Sequence, residues 1–317
     1  MATLTLQDLG GLSLQNGDHD ANRIWGGSAR PTQDGTPVAE LQTALIKLGT
    51  LTFSADGQFG QHTEEALRRF QWYVAHQRFR LKLLPGAAPA GGTILDYAAA
   101  PAGPPGTCNS VTASLILSWL ADNFVTTSPL VRLDVGRLSK ISLGQDFQPL
   151  DYPEAKKGEV LVHADFAGAL SGTMNQAAST VGVSLHLNQT FRREGIPPAG
   201  AVVAPATRSQ HLVGHAVDLN IVDGSTVNTN AMFQAGDQTE GADKFIAAVK
   251  ARGLRWGGDF STADFVHFDD FLNPNGQDYD NNFFFAEVFR ASAPDAARQL
   301  IACGCICRGC AGGSPLS

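Results

Sequence analysis

The chain has 317 residues, more than one average domain, and its length fits two. A composition of 43% hydrophobic and 17% charged residues is globular and excludes a wholly disordered protein. With 30 acidic against 23 basic residues the net charge is -7, which argues against electrostatic binding to nucleic acid or an anionic membrane as the main task.

The first twenty residues are polar and glycine-rich and read as an N-terminal arm; they lack the basic and apolar regions of a standard signal peptide. No run along the chain approaches the roughly 20 apolar residues that span a bilayer. The first strong helical pattern runs from Thr36 to Gly49. Thr36 is its expected cap, Pro37 takes the first helical position, and Val38, Leu41, Leu45 and Leu48 share one face. Asp56-Gly57 signals a turn, and Thr63 is expected to cap a second helix that buries Ala66, Leu67 and Phe70. Residues 85–107 are dense in Ala, Gly and Pro and read as an insertion. A third helix is expected over 110–123, capped by Ser110 and repeating Val111, Leu115, Trp119 and Leu120. Residues 126–160 read as a connector. From about 161 apolar strands (EVLVHADF, GVSLHLN, AVDLNIV, DFVHFDD) alternate with helical pieces such as 242–252, an α+β texture with a small sheet. Residues 291–317 lose the pattern and hold Cys303, Cys305, Cys307 and Cys310.

Chemistry concentrates in two segments. In the first, His211 precedes Asp218 by seven residues, with Ser209, Gly214 and His215 close by. Asp218 sits in the apolar alternation of Ala216, Val217, Leu219 and Ile221, where a carboxylate needs a partner or must be neutralised. A metal ion is one efficient partner. In the second segment Trp256-Gly-Gly-Asp259 leads to Asp264 and His267, and His267 can supply a third ligand. Two His and one carboxylate leave the fourth position of a zinc ion open, which is the catalytic arrangement. Asp264 suits a proton-accepting base provided that a turn brings it round, because in a straight strand it and His267 face opposite ways. On spacing alone the same residues also fit ordinary hydrogen-bonded polar groups.

The strings Ser-x-His-x-x-Gly-x-Ala-x-Asp (209–218), Gly-Leu-x-Trp-Gly-Gly-Asp-Phe (253–260) and Asp-x-x-His-Phe (264–268) resemble the zinc peptidase family of D-alanyl-D-alanine carboxypeptidases and L-alanyl-D-glutamate endopeptidases. Many members are cell-wall hydrolases of bacteria and phages, and the resemblance covers about 161–290. It implies one Zn2+ ion held by His211, Asp218 and His267, with Asp264 as the base for attack of a zinc-bound water on a stem-peptide amide of peptidoglycan. It also implies an arginine upstream of the first His that holds substrate and stabilises the oxyanion; Arg192 is the match, with Arg193 its neighbour. Ser209, Arg193 and Trp256 carry over as substrate-binding positions. Val266 stands where relatives often have Pro, and His215 is expected to point away from the metal. The base is Asp where some carboxypeptidase branches have Glu, which tilts the cut towards L-Ala-D-Glu or another internal bond.

A second resemblance covers 38–71. Leu41-Gln42, Leu45, Leu48-Gly49, Asp56-Gly57, Phe59-Gly60, Thr63, Ala66 and Phe70-Gln71 are similar to the small three-helix peptidoglycan-binding domain. Its recognisable positions are core, which leaves Trp72, Tyr73 or the Asp56 loop to touch glycan or peptide. The expected organisation is then an arm (1–20), a three-helix peptidoglycan-binding domain (21–125) and a connector (126–160). A small antiparallel-sheet zinc peptidase (161–290) and a non-catalytic Cys-rich tail (291–317) complete it. Peptidoglycan is the implied partner, with no nucleic acid and no membrane span. An enzyme of the periplasm or cell wall that lacks a signal peptide needs another export route, and holin-assisted phage lysis and type VI-like secretion both fit. The competing readings are a wall-anchoring protein on an inactive peptidase fold, and zinc amidase chemistry on a different bond.

Overall fold

The computed structural model describes residues 3–76, 82–83, 104–121, 124–126, 128–145, 147, 158–196 and 206–292. The Cys-rich tail and most of the expected insertion lie outside the described residues. The chain divides into two compact units, Met1–Thr127 and Ser128–Ser317.

The first unit holds β1 (Ile24–Trp25), β2 (Ser28–Ala29), α1 (Pro37–Leu48), α2 (Gln61–His76), β3 (Lys82–Leu83), α3 (Ser110–Ala121) and β4 (Phe124–Val125). The expected arm is folded into it: Leu4, Leu6, Leu9 and Leu14 are buried, and Leu14 and Cys108 exchange backbone hydrogen bonds at 2.9 Å. The three caps differ from the expected ones. Thr36 makes no side-chain cap; the Asp20 carboxylate reaches across instead and accepts from the Val38 and Ala39 amides and from Trp25 Nε1. A carboxylate at that helix start also meets the positive end of the dipole. Helix α2 begins at Gln61, so Thr63 lies inside it, buried, and accepts from Gln42 Nε2. Asn109, not Ser110, caps α3 through the Thr112 amide. Trp119 packs edge-on against Phe70 and Tyr73, which spends Tyr73 on the core.

The second unit contains β5 (Leu130–Asp134), β6 (Ile141–Leu143), β7 (Glu159–His163), α4 (Ala164–Gly168), a π-helical turn (Ala169–Met174) and α5 (Asn175–Val181). These are followed by β8 (Ser184–Gln189), β9 (Ala216–Asp223), β10 (Thr226–Asn228), α6 (Asn230–Ala235), α7 (Glu240–Lys250), β11 (Arg255–Trp256), β12 (His267–Asp269) and α8 (Gln277–Ser292). The stretch expected as a connector supplies β5 and β6. The sheet runs β11-β12-β9-β8-β6 with β10 on the other part of β9, and every pairing is antiparallel except β6 with β8. Strands β5 and β7 form a separate antiparallel ladder.

Period-two alternation explains the layering. Leu185 and Leu187 of β8 and Val217, Leu219 and Ile221 of β9 face a core shared with Phe245 and Val249 of α7 and Ala177 and Ala178 of α5. Asp218 and Asn220 lie on the opposite face of β9 and are half-buried. Between Leu187 and Gln189 the register slips, so Gln189 stands opposite Asp218 and the chain leaves β8 beside it. Phe268 of β12 sits between Val217 and the α7 layer, fully buried and 5.8 Å from the Phe245 ring. Phe268→Ala should lower the unfolding free energy of this unit by about 3–5 kcal/mol in chemical denaturation. A loss below about 1 kcal/mol would show that β12 is not anchored by this core.

Candidate metal centre

His211, Asp218 and His267 converge although they come from three different elements. His211 rides on the 3-10 turn Gln210–Val213, and its own amide donates to the capping Ser209 hydroxyl. Gly214 ends that turn at φ +73°, and a Cβ there would run into the His163 amide and Leu130, which accounts for glycine at this place in the motif. Asp218 and His267 are direct partners across β9 and β12. Their donor atoms form a small triangle: His211 Nε2 to Asp218 Oδ1 3.1 Å, His211 Nε2 to His267 Nδ1 3.2 Å, His267 Nδ1 to Asp218 Oδ1 3.2 Å. Among the described residues these three form a group able to hold a metal ion.

The outward nitrogens are already committed. His211 Nδ1 donates to the Thr190 carbonyl at 2.7 Å, and His267 Nε2 donates to Asp269 Oδ2 at 3.0 Å. Each ring therefore keeps its proton on the far side and turns a lone pair inward. Two lone pairs and a carboxylate oxygen facing one another repel unless positive charge lies between them. A regular tetrahedron with metal–ligand bonds of about 2.0 Å has edges of about 3.3 Å, close to the sides of this triangle. The donor set thus fits a zinc-sized ion.

The electrostatics agree. Burial alone would raise the Asp218 carboxyl, but His211 and His267 outweigh it and hold it far below the usual carboxylate range. Burial alone would lower the His267 imidazole, but hydrogen bonds to Asp218 and Asp269 push it up to about 10. Both shifts favour positive charge at the centre of the triangle.

Asp264 reaches the same neighbourhood by the required turn. The His267 amide donates to the Asp264 carbonyl at 3.1 Å, so 264–267 closes as a β-turn with Val266 in the place where Pro is common. Gly257 is pressed against this turn, and a Cβ there would clash with the Asp264 carbonyl and approach His267 Cβ. Burial raises the Asp264 carboxyl and the Asp218 charge raises it further, only partly offset by His267, His211 and the Val266 amide. Trp256 braces the turn from behind: its Nε1 donates to the Phe265 carbonyl at 2.8 Å and its ring packs on Phe265 and Phe233.

Arg192 follows the β8 bulge. It is 5% exposed, its amide donates to the His211 carbonyl, and its guanidinium bonds Gln189 Oε1 at 3.4 Å. Burial lowers its pKa, while Asp218 and Tyr279 act in the opposite direction. Arg193 is half-buried beside it. Ser209 serves the His211 turn on both sides, since its carbonyl also accepts from the Tyr279 hydroxyl at 2.8 Å. His215 points elsewhere: Nδ1 pairs with Asp270 at 2.8 Å and its ring lies 4.1 Å from that of His163. Sequence reasoning missed Asp269, the Thr190 carbonyl and Tyr279. Only Asp269 left a signal, two residues beyond His267 on the same strand face.

Residues 203–270 match a family model described as D-alanyl-D-alanine carboxypeptidase, and residues 34–74 match one described as a peptidoglycan binding domain. No curated protein matches the chain. Among solved structures, the L-Ala D-Glu endopeptidase ChiX of Serratia marcescens is similar at 22% identity and a TM-score of 0.25, over 34% of this chain and 79% of that one. The segment similar to the carboxypeptidase model carries the His211–Asp218–His267 group, and the segment similar to the peptidoglycan binding domain lies in the first unit. Among the described residues no helix is long and apolar enough to cross a membrane.

Zinc needs a neutral His267, and with this imidazole pushed up to about 10 its binding should displace a proton. Apparent affinity should then rise about tenfold per pH unit through the neutral range, and calorimetry in buffers of different ionisation enthalpy should find about one proton released per ion. Zero release at pH 7.5 would mean that His267 is already neutral in the metal-free protein.

Proposed function

We propose that the protein is a zinc-dependent peptidoglycan hydrolase that cuts an amide bond of the stem peptide, held on the wall by its N-terminal unit. The observation that carries the reading is the triangle of inward-facing donors of His211, Asp218 and His267, inside a segment matched to a peptidase family. A zinc ion held there would supply Lewis acidity to a water and to the scissile carbonyl. Every other part of the chemistry falls to the chain. Asp264, its carboxyl raised by burial and by Asp218, takes the proton released as water adds to the amide and can return it to the leaving nitrogen. Arg192, always charged and already buried beside the site, donates to the developing oxyanion or to a carboxylate of the substrate. Ser209 and Trp256 act through the His211 turn and the Asp264 turn, and Arg193, half-buried next to Arg192, is the further substrate-binding position. An aspartate base favours an internal bond such as L-Ala-D-Glu over the terminal one. Its site of action is the cell wall, as the match of residues 34–74 to a peptidoglycan binding domain supports.

The test is mass spectrometry of digested peptidoglycan, which reads activity and bond together. Asp264→Asn should keep its zinc and lose about 10²–10⁴ in turnover, in line with removal of a general base. His211→Ala should lose both metal and activity, and a chelator should silence the wild type. New peptide ends released by His211→Ala protein would overturn the reading. Wall retention with no new ends from the wild type would favour an anchoring protein instead.

A further inference from the structure

Asp269 and Arg255 lie behind His267, on the side away from Asp218. His267 and Asp269 are two residues apart on β12 and so share a face, while Arg255 stands directly opposite Asp269 on the edge strand β11. The Asp269 side chain has no exposed surface, and its two oxygens accept four hydrogen bonds. Arg255 Nε and Nη2 each donate at 2.7 Å, the Phe271 amide at 2.9 Å and His267 Nε2 at 3.0 Å. The guanidinium is itself fixed, with its carbon 4.1 Å from the Phe271 ring centre and 5.2 Å from that of Phe260. A four-donor environment keeps this carboxylate acceptor-only, so the imidazole facing it must carry its proton on Nε2.

We infer that Asp269 and Arg255 are positioning residues that hold His267 in the one tautomer and orientation in which Nδ1 faces the Asp218–His211 pair. The inference rests on the metal reading above. Asparagine at 269 would set an amide NH2 against a donor whichever way it turned. Facing His267, it would favour the wrong tautomer; facing Arg255 and the Phe271 amide, it would break the clamp. Lysine at 255 keeps the charge and loses the two-pronged geometry.

The experiment measures zinc affinity by chelator competition on the full chain, with nitrogen-15 NMR of the zinc-loaded histidines. Wild type should show His267 bound through Nδ1 and protonated at Nε2. Asp269→Asn should bind zinc about 10–100-fold more weakly, as expected when the partner of a ligand is lost. Arg255→Lys should weaken it several-fold and broaden or shift the Nε2 proton signal. Thermal unfolding of the metal-free forms provides the control, since a merely structural ion pair would lower the melting midpoint and leave zinc affinity and the nitrogen signature of folded protein unchanged. If Asp269→Asn does not fold, Arg255→Lys and Arg255→Gln carry the test. Tight zinc binding by wild type with both sites' variants within about twofold of it would overturn this inference alone. A wild type that takes up no zinc would overturn the metal reading, and this inference with it.

Discussion

Two imidazole lone pairs and a carboxylate oxygen within 3.2 Å of one another are tolerable only if they share a positive charge. Much of the second unit is organised around producing that crowding. The β9–β12 register sets Asp218 opposite His267, and the bulge at the end of β8 swings the Thr190 carbonyl onto the far nitrogen of His211. Asp269 takes the far proton of His267 in the same way. Removing either acceptor would free a ring to turn its proton inward, where it would meet the partner's lone pair or exclude a cation.

Consecutive aspartates divide the labour at the end of β12. Asp269 faces the ligand side and holds His267, whereas Asp270 faces the other way and holds His215, whose ring stacks on His163. His163 in turn bonds Asn282 of α8, and Tyr279 of the same helix bonds the Ser209 carbonyl. The helix is thus tied to both the β7 end and the His211 turn. The polar groups behind the triangle form ties between elements, which costs less than leaving them unpaired in a buried setting. Among the described residues the buried Nε2 of His215 meets no hydrogen-bond partner.

What could be read in the sequence follows from what chemistry restricts. Metal-binding side chains are few in kind, so His211, Asp218 and His267 stood out, and the strand geometry of Asp264 and His267 already demanded the turn that is found. Helices α1 and α2 were legible from their apolar faces. The caps were not, because Asp20 reaches α1 from eighteen residues upstream and Asn109 competes with a neighbouring serine that propensity ranks equally. Strand β6 was missed because Ile141–Leu143 is too short to display a period; its place depends on the parallel partner β8, which sequence does not reveal. Arg255 was silent for a similar reason: an arginine on an edge strand reads as a solvated charge until the register sets it opposite Asp269.

Asp218 and Asp264 carry the strongest argument for the proposed chemistry over anchoring. The same pair of histidines that lowers Asp218 cannot overcome the burial of Asp264, and the ionised Asp218 raises its neighbour further. One carboxylate is thereby locked as an anion suited to a cation, and the other is moved towards the range in which it can take and give back a proton. Divergent environments for neighbouring carboxyls are what the proposed split between electrostatic and acid–base roles requires. A wall anchor would gain nothing from such a division, and a carboxyl raised by burial and by Asp218 costs stability. Gly257 packs against the backbone of the turn that carries Asp264 too closely for any side chain, so the turn depends on a glycine there.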